Sequence, residues 1–384
     1  MPRRGHGEGS VYQRAADGLW CGTLELPPTD GKRRRKTITG KTKAAVLRKL
    51  TDARLELRDR GDIPTASQTT GQYLTYWLDN VAVKELRPKA FDNYRTVLTL
   101  HVIPIIGKVQ LNKLTPAHVR RVHDAMTGNG LSSTYALNAH RVLSSALTAA
   151  EREGRIYRNP AKLTKAPRKA VAPLEALSVP EAIQVLAHVA NDPEMGARWA
   201  TSLLTGARRG EVIGLTRDRV TDVLDLSWQL QRLRVTPDGK PIAPADFEWT
   251  HLTGGLYLTR PKTTAGWRIV PLVDPLASIL DRYLRATPEN DHGLVFTRGG
   301  RPLDPDQDSA AWKKALTEAG VEKNVVLHGL RHTAIDLLYE AGVDEATIME
   351  IVGHSTRGVT RGYKSRGNRK QLTEAMERMA ALLA

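Results

Sequence analysis

Residues 158–177 read RNPAKLTKAPRKAVAPLEAL. Prolines and basic side chains interrupt every apolar run in this stretch. Neither the 3.6-residue period of a helix nor the two-residue period of a strand survives in it. Such a segment reads as an extended, charged connector, and it divides a chain of 384 residues, which exceeds one ordinary domain. A step in charge falls at nearly the same place. Of the net +16, residues 1–66 carry +7, residues 67–172 carry +10 and residues 173–384 carry −1. All of the excess positive charge therefore lies on the N-terminal side. That is the pattern of a protein holding a polyanion, most simply nucleic acid, with those parts. A generally basic surface would not leave the C-terminal half neutral.

The patterning predicts four regions: residues 1–66, 67–160, a linker 161–177, and 178–384. Residues 9–43 read as three short strands, with turn signals at Gly18 and Pro27–Gly31. Thr42 and Gly61 are good ends for an amphipathic helix between them, and "GDIPTASQTT" follows as a linker. Residues 70–155 read as four or five helices, started by Pro88 and Pro116 and stopped by Gly128 and Gly154. A capped helix begins after Ser178. Further on, "GGLYLTR" and "GWRIVPL" read as two strands of a hairpin with "PKTTA" at its tip. The expected fold is mainly α with small β elements, in several domains. The single cysteine, Cys21, allows no intrachain disulfide and suits a reducing cytoplasm. No apolar run reaches membrane-span length, and "MPRRGHGEGS" reads as a basic tail without the apolar region of a secretory signal.

Four segments of the C-terminal region carry residues that a core does not need. "TGARRGE" places Arg208 in a small-residue turn, with Glu211 three residues on to brace it. Lys262 sits at the expected hairpin tip. In "HGLRHTAIDLLYEAG", Leu330, Ala334, Leu337, Leu338 and Ala341 form the buried stripe of a helix; His328 and Arg331 project together beside it, and His332 points further toward solvent. "GHSTRGVTRGY" places His354 after a glycine stop and Tyr363 in a segment of no regular period. His328 and His332 lack the third ligand and the glutamate of a zinc helix. Together the set matches phosphoryl transfer to tyrosine. Arginines grip phosphate oxygens with forked donors and stabilise the added transition-state charge. Tyrosine is the nucleophile, and lysine or histidine protonates the leaving oxygen. No metal or other cofactor is needed, because the cations are built in.

In the order and spacing of these motifs the chain resembles the tyrosine recombinases, or phage-integrase family. The resemblance implies that Arg208, Lys262, His328, Arg331, His354 and Tyr363 are catalytic, with Glu211 supporting. It implies a 3′-phosphotyrosine intermediate, a Holliday junction and a homotetramer on DNA that integrates or excises a mobile element, with host bending and excision factors as further partners. Residues 67–158 look like a helical core-site-binding domain. Residues 9–61 look like the small domain that binds arm-type sites. On this reading double-stranded DNA meets Lys32, Arg33, Arg34, Arg35 and Lys36, then Arg87, Lys89, Arg95 and Arg141, then Lys165, Arg168 and Lys169. Location in the cytoplasm of a prokaryotic host, with the nucleoid, is implied. The tail "NRKQLTEAMERMAALLA" is an amphipathic helix expected to dock on a neighbouring protomer, as in relatives. A type IB topoisomerase would use the same chemistry on one strand, but the arm-type unit and the tail favour a recombinase. A regulator that had lost catalysis would be expected to lack part of the set.

Overall fold

The computed structural model describes residues 11–29, 32–61, 68–170, 175–192, 194–236, 238–260, 267–353 and 365–383. The chain divides into two compact units, Met1–Leu86 with Ala90–Ala170 and Val171–Ala384 with Arg87–Lys89.

The first unit begins with an antiparallel sheet of β1 (Val11–Gln13), β2 (Trp20–Thr29) and β3 (Lys32–Gly40), in sequence order. Helix α1 (Lys43–Arg60) covers one face, capped by the Thr42 hydroxyl on Ala45 N and ended by left-handed Gly61. Leu24, Leu26 and Ile38 pack there against Val46, Leu50 and Ala53. Strand β2 runs on through Pro27 and Pro28 with a bulge after Leu26, so the turn signal read there is part of the strand.

The same unit holds a helical domain: α2 (Thr70–Trp77), a π turn at Leu78–Ala82, α3 (Val83–Glu85), α4 (Pro88–Val97), a second π turn at Leu98–Val102, α5 (Ile103–Ile106), α6 (Pro116–Gly128) and α7 (Ser133–Arg152). Thr69 and Gln72 close a capping box on α2, and the Leu111 N–H donates to Gln68 O. The end of the expected first linker thus belongs to this domain.

The second connector also differs from expectation. Its first residues are docked on α7 instead of extended. Asn159 is 1% exposed. Its Nδ2 donates to Ser144 O at 2.8 Å and Thr148 Oγ1 at 3.0 Å, and its Oδ1 accepts from Ala161 N at 2.9 Å. Ala170 N donates to Thr134 Oγ1 at 2.9 Å. A short amide side chain satisfies both buried backbone and hydroxyl groups, which no periodicity argument weighs.

In the second unit, α8 (Val179–Val189) starts at a Ser178–Glu181 capping box. Helix α9 (Gly196–Thr205) is buried at every residue and forms the axis of the core. It includes Arg198, which is neutralised by Asp308 with NH1 to Oδ2 at 2.9 Å. Then come α10 (Arg209–Ile213), β4 (Val223–Asp225), β5 (Gln229–Arg232), β6 (Trp249–Thr253), β7 (Leu256–Thr259) and β8 (Ile269–Pro271). The expected hairpin is corrected here. Strand β7 is the centre of a β5-β7-β6 sheet, and β8 pairs with β4 in another. All four residues of β7 are buried, as a central strand requires, so it takes two partners and neither is β8.

The remaining elements are α11 (Leu276–Ala286), the short pair β9 (Thr297–Arg298) and β10 (Arg301–Pro302), α12 (Pro305–Glu318), α13 (Gly329–Glu340), α14 (Glu345–Val352) and α15 (Ser365–Ala381). Within the single chain the tail helix α15 lies on its own domain. Leu372, Ala375, Met376 and Met379 are buried in the core of its own domain. That burial covers the apolar stripe within the chain itself.

Replacing Asn159 strands several buried polar groups at about 1–3 kcal/mol each. Asn159→Ala is therefore expected to destabilise the helical domain by about 2–3 kcal/mol, read as a lower urea midpoint for that domain at unchanged slope.

Candidate active site

The site is built where α9 ends. Gly206 takes φ +60° to turn the chain, and a Cβ there would lie 3.1 Å from Val352 Cγ1 and 3.2 Å from Ala334 Cβ. The turn delivers Arg208 to the N-cap position of α10. Glu211, in the first turn, reaches back: its Oε2 accepts from Arg208 N at 2.9 Å and its Oε1 from Arg208 NH1 at 2.7 Å. A second cation, Arg268, donates from NH2 to the same Oε2 at 2.7 Å. Its NH1 donates to Val352 O. Arg208 NH2 donates to the next carbonyl, Gly353 O, at 3.2 Å.

Arg331, on the first turn of α13, is 1% exposed. NH1 donates to Gly206 O at 2.8 Å, and NH2 has no hydrogen-bond partner among the described residues. Burial, followed by the charges of Arg268 and Arg208 and against the pull of Glu211, pushes the Arg331 pKa down to about 9. The group stays protonated at neutral pH. Burial likewise lowers Arg268. Three guanidiniums thus face one carboxylate. A buried cation with a free donor is costly unless an anion meets it, and a phosphate offers the matching oxygen pair.

His328 occupies the N-cap position of α13, makes no side-chain capping bond and is exposed, whereas His332 is half-buried. This reverses the expected order. The helical wheel extends to neither end of a helix, and His328 precedes the first packed turn. The rings meet edge to face at 5.3 Å. Loss of water on the protein side, then the positive neighbours His332, Arg331 and Arg208, hold the His328 pKa below its ordinary value. Lys262, His354 and Tyr363 lie outside the described residues. Their anchors are inside. Arg260 stacks between Trp228 and Trp267 at 4.8 and 4.3 Å, left-handed Gly353 ends α14, and Ser365 begins α15. Of the expected set, Arg208, Glu211, His328 and Arg331 therefore lie near one another. Arg268 was missed, and its signal was a charge inside the apolar run "GWRIVPL".

The basic residues expected on DNA divide by face. Leu24 pairs with Lys36 and Leu26 with Arg34, so those two cations share the face that α1 covers. Arg33 and Arg35 stand on the open face, each ion-paired to Glu25. The side chain of Lys32 is outside the described residues. Lys89, Arg95, Arg141, Lys165, Arg168 and Lys169 are exposed, and Arg87 directly precedes α4.

An integrase of Saccharopolyspora erythraea is 30% identical over 94% of this chain and 93% of its own length. The chain belongs to the phage integrase family. The model of that family matches residues 180–368, and the N-terminal SAM-like domain of phage integrases matches residues 69–127. A XerC-like tyrosine recombinase of Caldanaerobacter subterraneus is 24% identical over 91% of this chain and 92% of its own. In fold, the chain is similar to the Tn1549 transposon integrase in complex with circular intermediate DNA (TM-score 0.63, 18% identity, 79% of this chain and 98% of that one). It is also similar to the lambda integrase tetramer bound to a Holliday junction (TM-score 0.56, 16% identity, 92% and 98%). As a member of this family it is a site-specific DNA recombinase. Among the described residues, no helix is long and apolar enough to cross a membrane and no cluster of metal-ligating side chains occurs.

The free donor on Arg331 makes anion binding depend on its proton. Inorganic phosphate is expected to raise the unfolding temperature near pH 7.5. That gain should fade as pH rises through about 9, and it should be absent in Arg331→Ala; thermal shift at matched ionic strength measures both.

Proposed function

We propose that this integrase cuts and rejoins attachment-site DNA with Tyr363 as the nucleophile. The observation that carries the reading is the pair Arg208 and Arg331: one is 39% exposed in its side chain and held by Glu211, the other is buried, held by Gly206 O and left with a donor that no described residue satisfies. The two guanidiniums hold the non-bridging oxygens of the scissile phosphate. The Tyr363 hydroxyl oxygen attacks phosphorus and loses its proton as the bond forms. The bond to the 5′-oxygen breaks, and Lys262 gives that oxygen a proton. The products are a 3′-phosphotyrosine and a free 5′-hydroxyl. Attack of the partner strand's 5′-hydroxyl on that phosphotyrosine releases Tyr363, so the number of phosphodiester bonds is conserved and no ATP is consumed. His328 and His354 assist at the phosphate, and Glu211 orients Arg208. Two rounds of exchange make and resolve a Holliday junction in a tetramer. The solved lambda integrase tetramer on such a junction supports this assembly.

The helical domain takes the core site, with Lys89, Arg95, Arg141 and the basic connector on phosphates. The open face of β1–β3, carrying Arg33 and Arg35, takes arm-type DNA. Host bending and excision factors complete the reaction in a prokaryotic cytoplasm.

Tyr363→Phe should bind core-site DNA as tightly as the parent protein yet form no covalent adduct with a nicked suicide substrate, because one hydroxyl is removed and the arginine clamp is kept. An adduct in that variant would place the nucleophile elsewhere. Removal of residues 1–66 should leave core-site binding and cleavage intact and abolish arm-site binding. Each phosphate that the protein neutralises steepens the fall of log K with log salt by about 0.9, so full-length protein on arm-plus-core DNA should show the steeper slope. Equal slopes and equal footprints would make the N-terminal unit something other than a DNA-binding domain.

A further inference from the structure

The contacts around Glu211 form a closed ring. Glu211 holds Arg208 on Oε1 and Arg268 on Oε2. Those two arginines then grip consecutive carbonyls at the end of α14: Arg268 on Val352 O and Arg208 on Gly353 O. The next residue in the chain is His354. Arg268 is 4% exposed in its side chain, and so it has no route to substrate. It lies six residues beyond Lys262 and immediately before β8. One buried guanidinium therefore bridges the first turn of α10, the end of α14 and the strand that follows the Lys262 segment.

We propose that Arg268 is a positioning residue for strand cleavage, orienting Arg208 through Glu211 and fixing the end of α14 through the Val352 carbonyl. The inference rests on the reading of Arg208 as a clamp on the scissile phosphate.

Three features argue for this role over simple core filling. A buried cation is expensive, and an apolar side chain of similar volume usually serves stability as well or better. The fork is used: two nitrogens serve two acceptors on different elements, a geometry lysine cannot reproduce. The carboxylate is also shared. Without Arg268, Glu211 Oε2 keeps only the Arg208 backbone N–H, the carboxylate is free to rotate, and the guanidinium on Oε1 loses its fixed direction. Misplacement of a clamp by about an ångström costs on the order of a hundredfold in rate.

The test compares two core-site substrates, one with the ordinary scissile phosphate and one with a methylphosphonate there, which lacks the negative charge that a guanidinium clamp holds. The proteins are full-length parent, Arg208→Ala, Arg268→Met and Arg268→Lys, assayed for single-turnover cleavage at saturating DNA, for core-site Kd and for thermal unfolding. Arg268→Met should lose on the order of a hundredfold on the phosphate and little on the methylphosphonate, matching Arg208→Ala, with Kd unchanged. Arg268→Lys, which keeps the charge and serves as the folded alternative, should show the same selectivity with a smaller loss. Equal losses on both substrates, or no loss on the phosphate, overturn the inference. If Arg208→Ala itself shows no such selectivity, the clamp reading fails first, and the inference falls with it.

Discussion

Glu211 is a single carboxylate, 2% exposed, shared by two guanidiniums, and the geometry of the catalytic unit converges on it. Each arginine reaches past it to a carbonyl at the end of α14, while Arg331 is tied to the turn carbonyl of Gly206. Take away the carboxylate and three cations are left close together with little to oppose them. Ion pairs of this kind add little net stability because desolvation offsets the attraction. What they supply is direction. Within the ring the guanidiniums have one arrangement, and it exists before any substrate arrives. The surplus positive charge is held in place by the fold, and on the proposed reading a phosphate entering there would relieve it, which is the preorganisation that phosphoryl transfer requires.

Much of this was legible in the sequence because it is local. Thr42 and Ser178 cap their helices by contacts three residues away. Glu211 meets Arg208 across one helical turn, and the α13 stripe follows from spacing alone. The parts that were not legible are non-local. Arg268 joins residues 57 and 84 positions distant. Strand partners are the same case: two apolar runs near one another suggested a hairpin, but β7 is buried on both faces and belongs between β5 and β6. For the tail, an amphipathic stripe declares that it will be covered and is silent on by what. Here the core around α9, α13 and β8 covers it.

The basic stretch KRRRK shows the same limit on a smaller scale. Composition counts five cations at residues 32–36, but the pleat of β3 alternates them. Arg34 and Lys36 face the helix-covered side with Leu26 and Leu24 opposite, and Arg33 and Arg35 share the open side with Glu25. A surface that sequence counts as five charges thus presents a narrower set to a ligand, already part-neutralised by an acidic partner. Exchange of that partner for phosphate would make binding here a replacement of one anion by another, and that favours sensitivity to salt.

The docking of the connector has a mechanical consequence. Ala170 is tied to Thr134 of the helical domain, and Leu177 is tied by its N–H to Thr333 of the catalytic domain. Only residues 171–176 lie between those two tied positions, far fewer than the linker 161–177 that periodicity marks out. Each tie is a single threonine hydroxyl accepting from a backbone N–H, so removal of either hydroxyl, at Thr134 or at Thr333, would lengthen the stretch between fixed positions and leave the other tie in place.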